Sequence, residues 1–215
     1  MQRSCLLFLS VSLLLFFKGN AQNGWTLKKE KDSIKVYSRS NGQSKFNELK
    51  VELILKARLS DLATLVLDIP NYPAWSFNTK TAYVLKRVSH SELYFYSQIN
   101  SPWPASNRDL AVHLRITQDP ASKVMSIAAE SVPDLIPRKE NLVRVPLSNE
   151  KWIVTPISET AIRIEYQLQI DPGAGVPALL INTFSTKGPY ETFKNLRQRL
   201  RQPKYTNVSL PFIVN

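Results

Sequence analysis

Apolar and polar residues alternate along most of this chain, and the period changes in only a few places. "DSIKVYSRS" (Asp32 to Ser40) puts Ile34 and Val36 on one side and Lys35 and Tyr37 on the other. That two-residue period predicts a strand with one buried face, and Asn41-Gly42 after it is a turn signal. "FNELKVELIL" (Phe46 to Leu55) repeats the pattern, with Leu49, Val51, Leu53 and Leu55 sharing a face. The period becomes helical in "LSDLATLVLDI" (Leu59 to Ile69). Leu62, Leu65 and Val66 follow Ser60, a suitable N-cap, and Pro70 and Pro73 end the helix. "NYPAWSF" then reads as a short turn presenting Tyr72 and Trp75.

Alternation resumes in "TAYVLKRVS" and "ELYFYSQIN", which meet at His90-Ser91, and in "DLAVHLRITQD" and "KVMSIAAES", which meet at Pro120-Ala121. "VPDLIPRKE" is an irregular, proline-marked loop. "NLVRVPLSNEKWIVTPIS" and "TAIRIEYQLQID" predict three more short strands, with turns at Ser148-Asn149 and Ser158-Glu159. Beyond the breaker Pro172-Gly173-Ala174-Gly175, a helix is expected from about Val176 to about Arg201, kinked or broken at Gly188-Pro189. Phe193, Leu196 and Leu200 form its apolar stripe, with Arg and Lys opposite. The tail "YTNVSLPFIVN" has no clear period.

Segregated strands and helices indicate an α+β fold with an antiparallel sheet. Seven to nine strands make a strongly curved sheet whose covered face needs the last helix. A curved sheet gripping a long helix leaves a hollow, and apolar hollows of that kind take ligands.

The first residues follow a different rule. "MQRSCLLFLSVSLLLFFKGNAQ" carries Arg3, an apolar run of 13 residues from Cys5 to Phe17, and small residues before Gln22. The run is too short to span a bilayer and suits a secretory signal peptide over residues 1–21. The expectation is an exported protein, periplasmic or secreted, with one domain over 22–203 and a tail over 204–215. Cys5, the only cysteine, leaves with that segment, so neither a disulfide nor a thiol nucleophile is expected in the mature chain. Net charge falls from +11 to +9 once Arg3 and Lys18 are removed. The charge is spread except at "KNLRQRLRQPK" (Lys194 to Lys204), a surface suited to transient contact with an anionic membrane.

Catalytic chemistry is thinly represented. His90 falls in a turn and His113 in a strand, neither with a motif partner, and HExxH, GxSxG and P-loop patterns are absent from the sequence. No metal, cofactor or catalytic residue is therefore expected, and no nucleic-acid recognition motif is present. The bulky aromatics Trp75, Phe77, Tyr83, Tyr94, Tyr96, Trp103, Trp152 and Tyr166 are either ordinary core or the lining of the hollow. Arg144 in "LVRV" and Glu165 in "IRIEYQ" are either outward-facing charges or buried ones that hold a polar headgroup. "SPWPASNRD" (Ser101 to Asp109) joins two strands through a rigid Pro-Trp-Pro elbow and an Arg108-Asp109 pair. Two roles are open for the pair. It fixes the strand geometry, with Asp109 accepting backbone N–H bonds and Arg108 pairing with a carboxylate such as Glu165, or Arg108 meets a ligand oxygen.

Taken in order, "IKVYSR", "YPAW", "PWPASNRD", "VPDLIPRKENLVRV", "KWIVTP", "IEYQLQIDPGAGVPALLIN" and "GPYETFKNLR" resemble the START domain, the steroidogenic-acute-regulatory-protein-related lipid-transfer domain, from about Trp25 to Arg201. The resemblance implies a helix-grip fold with an internal apolar cavity. With the amino-terminal segment, it implies an exported, bacterial-type member. The expected ligand is a lipid or other hydrophobic small molecule, bound by a monomer without enzymatic activity. The cavity-lining candidates are Trp75, Tyr83, Tyr94, Tyr96, Trp103, Arg108, Arg144, Glu165, Tyr166, Ile181 and Phe184. Uptake would require the last helix and the Val132 to Lys139 loop to move aside. Some family members read a choline headgroup with charged residues beside the tryptophan matching Trp75; here Pro73, Ala74 and Ser76 stand there. Two alternatives stay open: a cyclase or aromatase-type cavity enzyme of the same superfamily, and a partner-binding module with a collapsed cavity.

Overall fold

A computed structural model of the chain describes residues 24–215 apart from 41, 43, 104, 176–180 and 182–185. Among the described residues, ten strands form one sheet. They are β1 (Thr26–Lys31), β2 (Ile34–Arg39), β3 (Glu48–Leu55), β4 (Thr79–Arg87), β5 (Glu92–Ile99), β6 (Arg108–Gln118), β7 (Met125–Ser131), β8 (Val143–Arg144), β9 (Leu147–Ser158) and β10 (Ala161–Asp171). Their order across the sheet is β1-β2-β3-β10-β9-β7-β6-β5-β4, each pair antiparallel, and β8 lies parallel beside the start of β6. The order puts the first three strands against the last, so β3 pairs with β10 across most of the chain.

The register defines the inner face. Ile34 and Val36 of β2, Val51 and Leu53 of β3, Ile164 and Tyr166 of β10, Trp152 and Val154 of β9, Ile127 of β7, Val112 and Leu114 of β6, and Leu93 and Phe95 of β5 point to one side. All are buried in one core. This alternation is what burying one face of an antiparallel sheet requires.

Among the described residues, α1 (Leu59–Leu67) and α2 (Lys187–Arg199) cover that face. α1 is capped two residues earlier than the expected Ser60. Arg58 is the N-cap, and its backbone N–H donates to Asp61 Oδ2 at 3.1 Å. Ser60 is buried and donates to the Val208 carbonyl at 2.7 Å, so it anchors the tail. Gly188 and Pro189 fall in the first turn of α2, where a missing N–H leaves no helical bond broken. Of the expected upstream part of this helix, Ile181 and Thr186 are described, the first helical and the second the N-cap of α2; Phe184 lies outside the described residues. The apolar stripe of α2 faces the sheet. Phe193 touches Trp152 and Tyr166, with ring centroids 5.0 and 5.1 Å apart. The β1–β2 turn holds the outer side of the helix: Tyr190 Oη donates to Asp32 Oδ2 at 2.5 Å, and Arg197 donates to the Asp32 carbonyl at 2.6 Å.

Ser148 and Asn149 lie inside β9 and do not form a turn. β8 and β9 both run in the direction of β6, so the chain steps from one to the other at Val145 and Pro146 without reversing. The aperiodic tail is packed against the domain. Tyr205 and Ile213 are buried, Asn215 Oδ1 accepts from Ser60 N at 3.0 Å, and Gln118 exchanges bonds with both backbone groups of Val214.

Candidate functional site

The inner face is filled at its centre and opens toward one end. Around Phe193 the wall is closed by Trp152 and Tyr166, whose rings meet edge to face. Tyr72 and Trp75, from the short helical turn Ile69–Ala74 and the residue after it, complete the wall. Tyr72 Oη donates to the Val66 carbonyl at 2.8 Å, which fixes its ring against Phe95. Trp75 is 3 % exposed, and its buried Nε1 has no hydrogen-bond partner among the described residues. Further along β9 and β10, Glu150, Leu168 and Ile170 also point inward, by the same register, but keep partial exposure. This is the end where the chain leaves β10 through Pro172 to Gly175.

Glu150 is the polar feature of this wall. It pairs across the sheet with Ala129 on one side and Leu168 on the other. Burial pushes its carboxyl up to about 7, against the Tyr166 hydroxyl and Trp152 indole, which favour the charged form. Its register puts the side chain on the inner face, where it keeps partial exposure; the residue also borders, from behind, a groove on the outer face. The alternation that places Trp152 and Val154 inward assigns Glu150 to the same face, but a turn placed at Ser148-Asn149 hides that parity.

Arg108 stands at the rim of the same face, in line with Leu110 and Val112. It is 5 % exposed, and no ion-pair partner for it occurs among the described residues. It donates instead to Ser101 Oγ at 3.2 Å, to the Ser106 carbonyl and to the Ala174 carbonyl at 3.1 Å. Burial lowers its pKa. Arg108 thus ties the proline elbow to the turn that leads toward α2. Gly173 makes the close approach possible. Its φ is 84°, and an added Cβ would lie 3.0 Å from Val143 Cγ1.

Several of the other candidates fall elsewhere. Asp109 points to the opposite face and pairs with Arg144, not with backbone N–H groups. Arg144 is buried, yet every donor it has is taken within the protein, so it holds no headgroup. Glu165 is exposed on the outer face beside Glu52 and does not reach Arg108. Tyr83, Tyr94 and Tyr96 are also on the outer face, because Leu93 and Phe95 occupy the inner positions of β5. Tyr94 stacks on His113 at 4.3 Å, and His113 Nε2 lies 2.6 Å from Glu92. Tyr96 is fully buried under the 133–142 loop, with Lys139 Nζ 3.8 Å from its ring centre. Trp103 is 92 % exposed at the elbow and lines nothing. Trp75, Arg108 and Tyr166 stay on the inner side, and Ile181 is half-buried.

The outer face carries a polar groove of about 650 Å³ lined by residues such as Arg115, Glu130, Lys151 and Gln167. Its charges are mixed, and it lacks the apolar lining of a hydrophobic ligand site. Among the described residues no helix is long and apolar enough to cross a membrane, and no cluster of three His, Cys, Asp or Glu could hold a metal.

Known proteins share this architecture. The START domain family model matches residues 18–206. A solved structure from Xanthomonas axonopodis, described as a STAR-related lipid transfer protein, is 31% identical, with 83% of this chain and 99% of that one covered at a TM-score of 0.78. An uncharacterised Pseudomonas aeruginosa protein is 29% identical over 180 residues, 83% of this chain and 88% of that protein. The phosphatidylcholine transfer protein of Bos taurus is 26% identical over 187 residues, 85% of this chain and 86% of that protein.

Proposed function

Because the chain belongs to the START domain family, we propose that it binds one lipid or other hydrophobic molecule between the inner face of the sheet and the carboxy-terminal helix, and carries it without chemical change. The observation that supports this reading is the partly exposed inward set Leu168, Ile170 and Glu150, next to a closed aromatic wall. Burying a ligand's apolar surface there supplies affinity of about 25 cal/mol per Å², less the cost of ordering ligand and protein. The kinship with a phosphatidylcholine transfer protein does not extend to the choline reader. The residues beside Trp75 are uncharged, and Ser76 Oγ is held by Thr79 at 3.0 Å. The test is native mass spectrometry of the protein purified from its host without detergent. A discrete extra mass that organic extraction removes is the expected result; an empty protein that takes up no lipid overturns it.

Residues 1–21 act in this reading as an export signal, and the carrier works outside the cytoplasm. Amino-terminal sequencing of the host protein, with a start at Gln22, is the expected outcome. Membrane contact is made by the elbow. Trp103 is exposed on a rigid turn that Arg108 ties to Ala174, so an anchored elbow sits beside the ligand's route. An amphipathic indole is suited to the bilayer interface. The basic end of α2 contributes less than its charge suggests, because Lys194 pairs with Glu191, Arg197 and Arg199 bond backbone carbonyls, and Lys204 pairs with Asp68.

A further inference from the structure

Glu150 has no structural task that the described residues reveal. No ion pair to it occurs among them, and its sheet neighbours Ala129 and Leu168 are apolar. A desolvated carboxylate without a counter-charge costs stability unless hydrogen-bond donors surround it. The Tyr166 hydroxyl and the Trp152 indole are the neighbouring donors that favour its charged form. A carboxylate offers about four acceptor sites, so acceptor capacity remains on the partly exposed inner side.

Resting on the carrier reading, we propose that Glu150 selects the ligand: it accepts a hydrogen bond from a hydroxyl or amine on an otherwise apolar molecule and turns away a carboxylate or phosphate at that point in the cavity. A hydroxyl or ammonium group supplies the missing donor. An anionic group brings a second negative charge to a place where, among the described residues, no inward cation stands to receive it. Among the described residues, the titratable groups facing Glu150 on the inner side are Tyr166 on β10 and Tyr72 on the helical turn, neither of them cationic; β7 presents Ala129, and α2 presents Phe193. The buried cation of this face, Arg108, stands six residues along β6 from Leu114, the inward neighbour of Ala129. At about 3.3 Å per residue, that is roughly 20 Å away. A ligand's anion could meet Arg108 at the rim while its donor meets Glu150 within. The two groups therefore read opposite ends of a long amphiphile.

The test compares hexadecanol, hexadecylamine and hexadecanoate, three molecules with one chain and different heads, bound to the full mature protein at pH 8 and followed by tryptophan fluorescence. The expected order places alcohol and amine about tenfold or more tighter than the carboxylate, a difference of about 1.4 kcal/mol. Glu150→Gln narrows that preference to within about threefold, and Glu150→Leu reduces affinity for the alcohol and amine. Should Glu150→Gln not fold, the wild type at pH 6 serves instead, since protonating the carboxyl should weaken the preference against hexadecanoate. Equal binding of all three heads, unchanged by substitution or pH, overturns the role of Glu150 and leaves the carrier reading standing. No binding of any head, with an empty protein from the host, removes both.

Discussion

Arg144 closes on Asp109 through two parallel bonds, Nε to Oδ1 at 2.8 Å and Nη2 to Oδ2 at 3.0 Å, with both side chains almost wholly buried. Its remaining donors go to the carbonyls of Pro133, Ile136 and Pro137. One guanidinium thus joins β6, β8 and the irregular loop, and it answers why an Arg-Asp pair follows the proline elbow: the aspartate holds the loop across the outer face. Removing one partner leaves the other charged and buried. Arg144→Leu should cost about 3–5 kcal/mol in urea unfolding, and the double change Asp109→Leu with Arg144→Leu should cost less than the single one.

The carboxyl of Glu150 makes stability depend on pH in a defined direction. A glutamate in the unfolded chain titrates near about 4.3, and here it is held up to about 7. Between those values the folded protein keeps a proton that the unfolded chain has lost. This contribution is fully present below the lower value and lost as pH rises through the upper. Several aspartates, among them Asp32 and Asp68, are shifted downward and act the opposite way. The difference between wild type and Glu150→Gln cancels them. Urea midpoints should show Glu150→Gln gaining on the wild type from pH 5 to pH 8; a constant difference would show that the carboxyl is not desolvated.

Trp103 touches solvent almost entirely, so its loss should leave folding alone. Trp103→Ala is expected to change unfolding free energy by less than about 0.5 kcal/mol and to weaken sedimentation with anionic vesicles. Replacing Arg197, Arg199 and Arg201 by Gln should weaken it less. If the triple variant loses vesicle binding and Trp103→Ala does not, the basic helix end is the docking surface.

Opposite faces of the sheet should respond differently to substitution. Leu168→Trp places bulk in the inward space and should abolish lipid uptake while the protein stays folded by circular dichroism. Tyr94→Ala, on the outer face against His113, should leave uptake unchanged. Loss of uptake in Tyr94→Ala would place the ligand on the other side of the sheet.

The strands were legible because burying one face imposes a strict period, as in Leu49, Val51, Leu53 and Leu55, all of them buried. The period alone cannot say which face is covered. Tyr94 and Tyr96 share a face, as their spacing requires. That face is the outer one, and Tyr96 is buried only because Arg144 and Lys139 bring the 133–142 loop back over it. That contact joins residues far apart in sequence and leaves no local trace. Likewise Ser60 has the chemistry of an N-cap, but a distant carbonyl, that of Val208, claims its hydroxyl. The Asp109–Arg144 pair was out of reach for the same reason, while the inward position of Glu150 was readable from Trp152 two residues on.

The pairing of β3 with β10 has a kinetic side. Glu52 and Glu165 are partners 113 positions apart, so the amino-terminal ribbon has a bare edge until nearly all the chain is made. Contacts of such long sequence separation slow folding, and an unpaired strand edge recruits other chains. During synthesis the charges of β3, Lys50 and Glu52 among them, work as gatekeepers against aggregation before they have any role in the finished sheet.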